Sequence, residues 1–312
     1  MSIDLSYSPE ARELAAAVRT MCSRSAPSSA GAGFSEPAAF SAERWSDLAA
    51  LGVLGLTAPD GGSADVLAAT GIELGRAGVR GPLLATVVAA RALGPAYADR
   101  IATGLAIVSM GVPPLMPWAP LAETFIEIDG ATAYRAHVTG PIDTVETLAG
   151  EPWGRCALER DEELAAWPEA ATLGEIAAAA YLRGAGQRLL DAAVTYAAQR
   201  TQFGRAIGDF QATAHPLANC HLRLAAADTL VRLAAHAFDT GDAGQRPQAV
   251  TARRSAAAAA TETAYRAHQT LGAVGFTVEG PIGGLSQQIR QTAAIAAMLT
   301  DTTAAVLAPY GL

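Results

Sequence analysis

The stretch RTQFGRAIGDFQATAH, residues 200–215, connects two segments that both have helical spacing. It combines Arg200, Phe203 and two glycines, Gly204 and Gly208, on a short connection. Backbone groups at helix ends lack internal partners, and an arginine fork beside them can hold a phosphate or a carboxylate with two hydrogen bonds. Glycines would let a ligand approach the backbone closely. The residues alone fit either an anion site or a plain turn with a solvated arginine.

The segments on both sides of this stretch predict a bundle of packed helices. Proline at 216 and glycine at 241 predict the start and the end of the helix after the connection. We expect two further helices at about 250–271 and 282–307, which gives a C-terminal four-helix bundle over residues 171–312. The predicted core positions recur every three or four residues; they are Leu182, Ala185, Leu189, Ala193, Tyr196, Leu217, Cys220, Leu224, Ala227, Val231, Ala234 and Phe238.

The rest of the chain predicts two more units. Residues 1–104 have helical patterns separated by glycine and proline, with a serine cap signal at Ser8. Residues 105–170 contain proline punctuation and an alternating segment around Asp129-Gly130, which is a strong hairpin signal. We expect a reduced β domain of three to five strands there. The predicted fold class is mainly α: an N-terminal helical domain, a truncated small β middle domain and the C-terminal bundle.

Composition narrows the classes of partner. The chain has 312 residues, 51% of them hydrophobic, and a formal net charge of −8. That charge disfavours a nucleic-acid partner, since no basic face is available to neutralise phosphates. The three cysteines are far apart and lack metal-ligand spacing, and no signal peptide or membrane-spanning run is apparent. We expect a soluble, cytoplasmic protein.

Three motifs together resemble the acyl-CoA dehydrogenase family: RTQFGRAIGDFQATAHPLAN from residue 200, QTLGAVGF from residue 269, and the spaced pattern W..LA.LGVLGL.AP.GG over residues 45–62. The resemblance covers both helical domains and implies FAD as the cofactor, bound between subunits. It implies that Arg200 pairs with the pyrophosphate of an FAD whose isoalloxazine is held by a partner. The other residues that it implies for cofactor binding are Gln202, Phe203, Ile207, Phe210, Gln269, Gly272 and Ala273.

The family's chemistry also needs a carboxylate base, which takes the α-proton of an acyl-CoA while the β-hydride passes to the flavin. The family places this glutamate at one of two positions, and counting from the motifs reaches Ala296 and Gly174. Neither residue can accept a proton. Glu175 is one residue away from the second position, so it is a weak candidate base. The alternative for Glu175 is an acid placed favourably at a helix N-terminus.

The other acidic residues and the histidines are not expected to form a catalytic or metal-binding site. We expect Glu279 to make a turn contact and Asp301 to face solvent. His215 and His221 are expected to be packing or surface residues, and no group of residues has metal spacing.

The middle segment lacks the family's flavin-cradling motifs, and Trp118 among its prolines does not replace them. Together with the missing base, this resembles the short subunits of actinobacterial hetero-oligomeric (α2β2) acyl-CoA dehydrogenases of steroid side-chain degradation. The resemblance implies a full-length dehydrogenase partner that carries the base and binds most of the acyl-CoA. The alternatives are a self-sufficient homo-oligomeric dehydrogenase that uses Glu175, an interaction-only pseudoenzyme, and a flavin-dependent oxidation of something other than a thioester.

Overall fold

The N-terminal unit is helical. The computed structural model describes residues 3–24, 40–277, 280–300 and 306. Ser8 accepts a hydrogen bond from the backbone N of Ala11 (3.1 Å), which confirms the predicted cap at the first helix. None of the helices in these ranges combines the length and apolar character that crossing a bilayer requires. The first five helices are α1 (Pro9–Arg24), α2 (Ala42–Ala50), α3 (Ala64–Ala77), α4 (Leu83–Ala92) and α5 (Pro95–Ala102).

The middle unit is a β domain with two small sheets. One sheet has the order β1-β3-β4-β7, with β1 parallel to β3, and the other has the order β2-β6-β5. The predicted hairpin is confirmed, since β3 and β4 pair in antiparallel fashion around Asp129-Gly130. The strands are β1 (Val108–Gly111), β2 (Leu115–Pro117), β3 (Thr124–Asp129), β4 (Thr132–Val138), β5 (Asp143–Val145), β6 (Trp153–Arg155) and β7 (Leu158–Glu163).

The predicted number of three to five strands is therefore wrong for residues 105–166, a range that the structure describes throughout. Seven strands form there. Three of them, β2, β5 and β6, have three residues each, and alternation of polar and apolar residues cannot be recognised over so short a length.

The C-terminal unit is built from long helices, as the spacing predicts. Two helices begin earlier than predicted. The helix after the connection begins at Gln211, so Pro216 lies inside it, and the next helix begins at Gln245 instead of about residue 250. A short turn of helix at Ile207–Asp209 and an extended Phe210 start the first of these helices instead of His215-Pro216. The four helices are α6 (Trp167–Gln199), α7 (Gln211–Asp239), α8 (Gln245–Leu271) and α9 (Gly283–Ala296).

The end of the chain is described only in part. The predicted fourth helix at 282–307 corresponds to α9, which ends at Ala296. Residues 301–305 and 307–312 lie outside the described ranges, so the expectation for Asp301 falls outside them. The expectation for Glu279 lies outside them as well.

Helix α6 connects the two helical units through backbone contact with α3. A Cβ built on Gly184 would lie 2.0 Å from the carbonyl oxygen of Ile72, and one on Gly75 would lie 2.0 Å from that of Tyr181. The two helices therefore approach each other closely because both positions are glycine. The Asp239 carboxylate at the end of α7 also accepts hydrogen bonds from the first backbone N–H groups of α3 (2.7 and 3.0 Å). One hydrophobic core consequently spans α1, α3, α6, α7 and α8.

We expect Gly184→Ala to destabilise the protein, because the new methyl group requires α3 and α6 to move apart along a packed interface. The loss in the free energy of unfolding should be about 2 kcal/mol or more. Thermal unfolding followed by circular dichroism measures it.

Gly283→Ala is the matched control, since nothing lies within 4 Å of a Cβ at this helical position. It should leave the melting temperature unchanged or raise it slightly. Equal melting temperatures for Gly184→Ala and the unmodified chain would contradict the close helix contact.

Candidate functional site

The two motif segments lie at the same end of the bundle. Helices α6 and α7 are antiparallel neighbours, as are α7 and α8, so α6 and α8 run in the same direction. An ion pair between Glu175 and Arg253 joins the first half of α6 to the first half of α8, which agrees with that direction. The C-terminal ends of α6 and α8 therefore present residues 200–210 and Gly272–Phe276 at one end of the bundle, which we call the bundle end.

The connection after α6 is a tight β-hairpin rather than a plain loop. Strand β8 (Thr201–Gln202) pairs with strand β9 (Arg205–Ala206). The two turn residues, Phe203 and Gly204, both have left-handed backbone conformations, with φ of 53° and 82°. Such a turn favours asparagine and glycine, and a phenylalanine there is strained by about 1 kcal/mol.

The side chain of Phe203 gains little from this strained position within the chain. Its ring is 94% exposed and meets the edge of Phe210, with the ring centroids 6.2 Å apart. The guanidinium of Arg205, on β9, lies 4.1 Å from the ring centre of Phe210, the residue that precedes α7. A strained, exposed aromatic residue is typical of a contact with something outside the chain.

Arg200 lies where the hairpin joins α6. Its backbone N donates to Tyr196 O and its carbonyl accepts from Ile207 N, both at 2.8 Å. Its side chain is exposed, and its guanidinium makes no ion pair with any described residue. Gln202 beside it is also exposed, and its side-chain amide donates to the Thr201 carbonyl (2.6 Å). The arginine is thus available for an external anion.

The second segment also exposes groups that can bind a ligand. Gln269 is exposed at the last turn of α8, and Gly272 follows with a left-handed φ of 59° that favours glycine. Ala273 is exposed as well. Phe276 is 75% exposed and stacks on His268 at 4.8 Å. Burial lowers the pKa of His268, which favours the neutral ring beneath Phe276.

The structure places Glu175 away from this end. Its side chain is fully buried in the third turn of α6 and is ion-paired with Arg253 of α8. Burial raises the pKa of the Glu175 carboxyl, and the Arg253 guanidinium opposes that rise. The interpretation of Glu175 as an acid at a helix N-terminus is wrong, because α6 begins at Trp167. Its position indicates a structural ion pair between two helices.

The two counted positions contain no acid and have little space for one. Ala296 is fully buried at the end of α9. A Cβ on Gly174 would lie 2.8 Å from Val88 and 3.0 Å from Leu299, so even a methyl group there is crowded.

The sequence reasoning missed Glu151, a loop residue between β5 and β6. Its side chain is buried and lines a cavity of about 80 Å³ where the two helical units and the β domain meet. It accepts a hydrogen bond from Gln291 of α9. Burial raises the pKa of this carboxyl. No local pattern in LAGEP signals burial, because the partner is on a distant helix.

The remaining expectations concern the histidines and metal ligands. His215 and His221 are exposed on α7. In the part of the chain that the structure describes, no group of histidine, cysteine and acidic residues could hold a metal ion.

Comparison with known proteins identifies the family. The family described as "Acyl-CoA dehydrogenase, C-terminal domain" matches residues 169–297, which cover the long bundle helices and both motif segments. The acyl-CoA dehydrogenase IpdE2 of Mycobacterium tuberculosis is 33% identical over 246 residues, covering 73% of this chain and 74% of the relative. The chain therefore belongs to the acyl-CoA dehydrogenase family.

Solved structures show the same fold over nearly the whole chain. The ChsE4-ChsE5 complex of Mycobacterium tuberculosis matches with a TM-score of 0.78 and 20% identity, covering 99% of this chain and 98% of that one. The Tcur3481-Tcur3483 steroid ACAD matches at 0.80 and 22%, covering 97% and 96%. A glutaryl-CoA dehydrogenase of Mycobacterium smegmatis in complex with FADH2 matches at 0.82 and 16%, covering 98% and 95%. The predicted fold class is confirmed.

We expect Glu175→Gln to lower stability by about 3 kcal/mol, because it removes the carboxylate that forms a buried ion pair with the Arg253 guanidinium. Thermal unfolding of the chain in its purified form checks the size of the effect. Glu169→Gln is the control. This change removes the ion pair between Glu169 and Arg91. Because the Glu169 side chain is 47% exposed, the loss in the free energy of unfolding should be less than about 1 kcal/mol. A stable Glu175→Gln protein that loses only its catalytic rate would instead identify Glu175 as a base.

Proposed function

We propose that this chain is a subunit of an FAD-dependent acyl-CoA dehydrogenase, which it serves by completing the FAD site of a full-length partner. The observation that carries the proposal is the bundle end. There Phe203 is strained and exposed, and the exposed Arg200 makes no ion pair with a described residue, so both point to a ligand outside the chain. Such an enzyme forms an α,β-double bond in an acyl-CoA thioester. In our proposal the base comes from the partner, since Gly174 and Ala296 occupy the two expected positions.

The groups at the bundle end fit the dinucleotide part of FAD. The Arg200 guanidinium can hold the pyrophosphate with two charge-assisted hydrogen bonds. Gln202 and Gln269 offer exposed amide groups, and Gly272 and Ala273 offer exposed backbone. The half-buried Ile207 and Phe210 can line the adenosine region. When bound, FAD supplies hydride acceptance; the residues of this chain bind and orient it.

The small size of the cavity at the junction of the three units supports the proposal that the substrate binds to the partner. At about 80 Å³ it is small: an apolar cavity of about 150 Å³ holds a benzene molecule. Hydrogen bonds hold the β5–β6 loop, which forms one wall of the cavity, in place. The backbone N of Ala149 donates to Gln291 (3.0 Å), and the Ala149 carbonyl accepts from Arg80. A steroid-derived acyl group is several times larger than this space. We infer that the acyl-CoA binds mainly to the partner.

The relatives support the partner and the substrate class. Two structures of the same fold carry the names of two chains: one is the ChsE4-ChsE5 complex, and the other is the Tcur3481-Tcur3483 steroid ACAD. We therefore propose a hetero-oligomer of the α2β2 type and a steroid-derived thioester as substrate. The three cysteines, Cys22, Cys156 and Cys220, are free thiols, which favours a reducing cytoplasmic setting.

The homo-oligomeric alternative needs Glu175 as its base. That residue is paired with Arg253 inside the bundle and does not line the cavity. The structure therefore favours the partnered subunit over this alternative.

We expect Arg200→Ala to weaken flavin retention in the complex with the partner, because the buried pyrophosphate would lose its counter-charge. The loss should be about 2 kcal/mol or more, which is roughly thirtyfold in the dissociation constant of FAD. Flavin absorbance during dialysis of the co-purified complex measures it.

Arg254→Ala is the matched control, since Arg254 is an exposed arginine on α8 that lies far from the bundle end. It should leave flavin retention unchanged. If Arg200→Ala retains FAD as well as the control does, the chain is an interaction-only pseudoenzyme and the proposal is wrong.

We expect Phe203→Asn to separate stability from function. Asparagine followed by glycine suits this turn, so the substitution should stabilise the hairpin by about 1 kcal/mol. The same substitution removes the exposed ring and should weaken flavin retention. The melting temperature of the complex and its flavin content are measured together. A variant that is more stable and keeps all its flavin would show that Phe203 does not contact the cofactor.

A further inference from the structure

One face of the β8–β9 hairpin has two arginines. Gln202 of β8 is directly opposite Arg205 of β9. Arg200 has an extended backbone, and its carbonyl accepts from the backbone N of Ile207 (2.8 Å), so these two residues are opposite each other as well. Side chains alternate between the two faces of an extended chain, so these four side chains share one face, which we call the hairpin face. Our proposal assigns three of them to cofactor binding, and Arg205 is the fourth.

The two arginines of the hairpin face have no counter-charge within the part of the chain that the structure describes. The Arg205 side chain is exposed and, like that of Arg200, makes no ion pair there. Arg200 is the diagonal neighbour of Arg205 across the hairpin, and diagonal neighbours are about 7–8 Å apart. Two like charges at this spacing repel each other unless an anion lies between them. In a chain with a net charge of −8, this local positive charge indicates an anionic ligand.

Phe210 holds the Arg205 guanidinium in position. The guanidinium lies over the Phe210 ring, 4.1 Å from its centre. Contact with an aromatic ring uses the flat face of a guanidinium, so the N–H donors in its plane stay available for a ligand. Among the described residues, none of these donors has an acceptor. Since Phe210 is itself proposed to line the adenosine region, Arg205 is held on the cofactor-binding side of the hairpin.

We propose that Arg205 is a second cation for the FAD pyrophosphate, which it binds together with Arg200. This inference rests on the proposed function. The pyrophosphate has one negative charge on each of its two phosphates, so Arg200 alone would leave one charge without a partner. Two guanidinium groups match both charges, and each can bind phosphate oxygens through two N–H donors. This chain therefore supplies both cations for the pyrophosphate.

The test compares two substitutions of Arg205 in the complex with the partner. Arg205→Met keeps an apolar stem and removes the charge, whereas Arg205→Lys keeps the charge and removes the planar fork. We expect Arg205→Met to raise the Kd of FAD about tenfold. Arg205→Lys should stay within about threefold of the unmodified complex, because an ammonium group also binds phosphate as a point charge. Equilibrium dialysis followed by flavin absorbance measures the Kd.

Arg254→Met is the matched control, because it makes the same chemical change at an exposed arginine of α8 and should leave the Kd unchanged. If Arg205→Met binds FAD as tightly as this control does, the proposal is wrong. Equal losses in Arg205→Met and Arg205→Lys would also overturn it, since they would show that the planar shape of the side chain matters and its charge does not.

Arg200→Ala separates this inference from the proposed function. Loss of FAD in Arg200→Ala with full retention in Arg205→Met would leave the proposed function in place and overturn the role of Arg205. Retention of FAD in both variants would overturn both. Since Arg200 and Arg205 are exposed, these variants should fold, and the melting temperature of each complex checks this.

Discussion

The close approach of α3 and α6 is the contact on which the rest of the structure depends. At Gly75 and Gly184 the backbones meet with no room for a side chain, and this joins the N-terminal unit to the bundle in one core. Helix α6 runs from this contact to the hairpin at Arg200, so the position of the bundle end follows from it. The junction of the three units forms on the other side of the same contact, where α6 lines the cavity.

This arrangement separates two kinds of site. The bundle end exposes aromatic and basic groups outward, including a phenylalanine in a strained turn. The junction holds a cavity of about 80 Å³, and Gly174 and Ala296 occupy the two positions where an acid is expected. A chain of the acyl-CoA dehydrogenase family that presents aromatic and basic groups outward and has a small interior cavity fits the proposed role beside a second, complete subunit.

Much of the fold could be predicted from local patterns, and the failures have physical reasons. The Ser8 cap, the Asp129-Gly130 hairpin and the buried seam of α7 depend on near neighbours, which spacing reveals. Three-residue strands carry too little alternation to be recognised. The predicted start of α7 at Pro216 was wrong, because a short helical turn and an extended Phe210 begin the helix earlier, at Gln211.

The site could be predicted only in part, because its chemistry depends on residues far apart in the chain. Motif spacing identified the segments that the bundle topology brings to one end. It could not show that Glu175 pairs with Arg253, or that Glu151 reaches Gln291, since each contact joins distant elements. The turn strain at Phe203 is also invisible in sequence, since it depends on the backbone angle.

The most direct test of the account is flavin stoichiometry. The chain is purified alone and with a co-expressed full-length dehydrogenase, and FAD is counted against each polypeptide. Our account predicts a colourless chain alone and one FAD for each pair of unlike subunits in the complex. A chain that by itself retains one FAD per copy and oxidises acyl-CoA thioesters would contradict it.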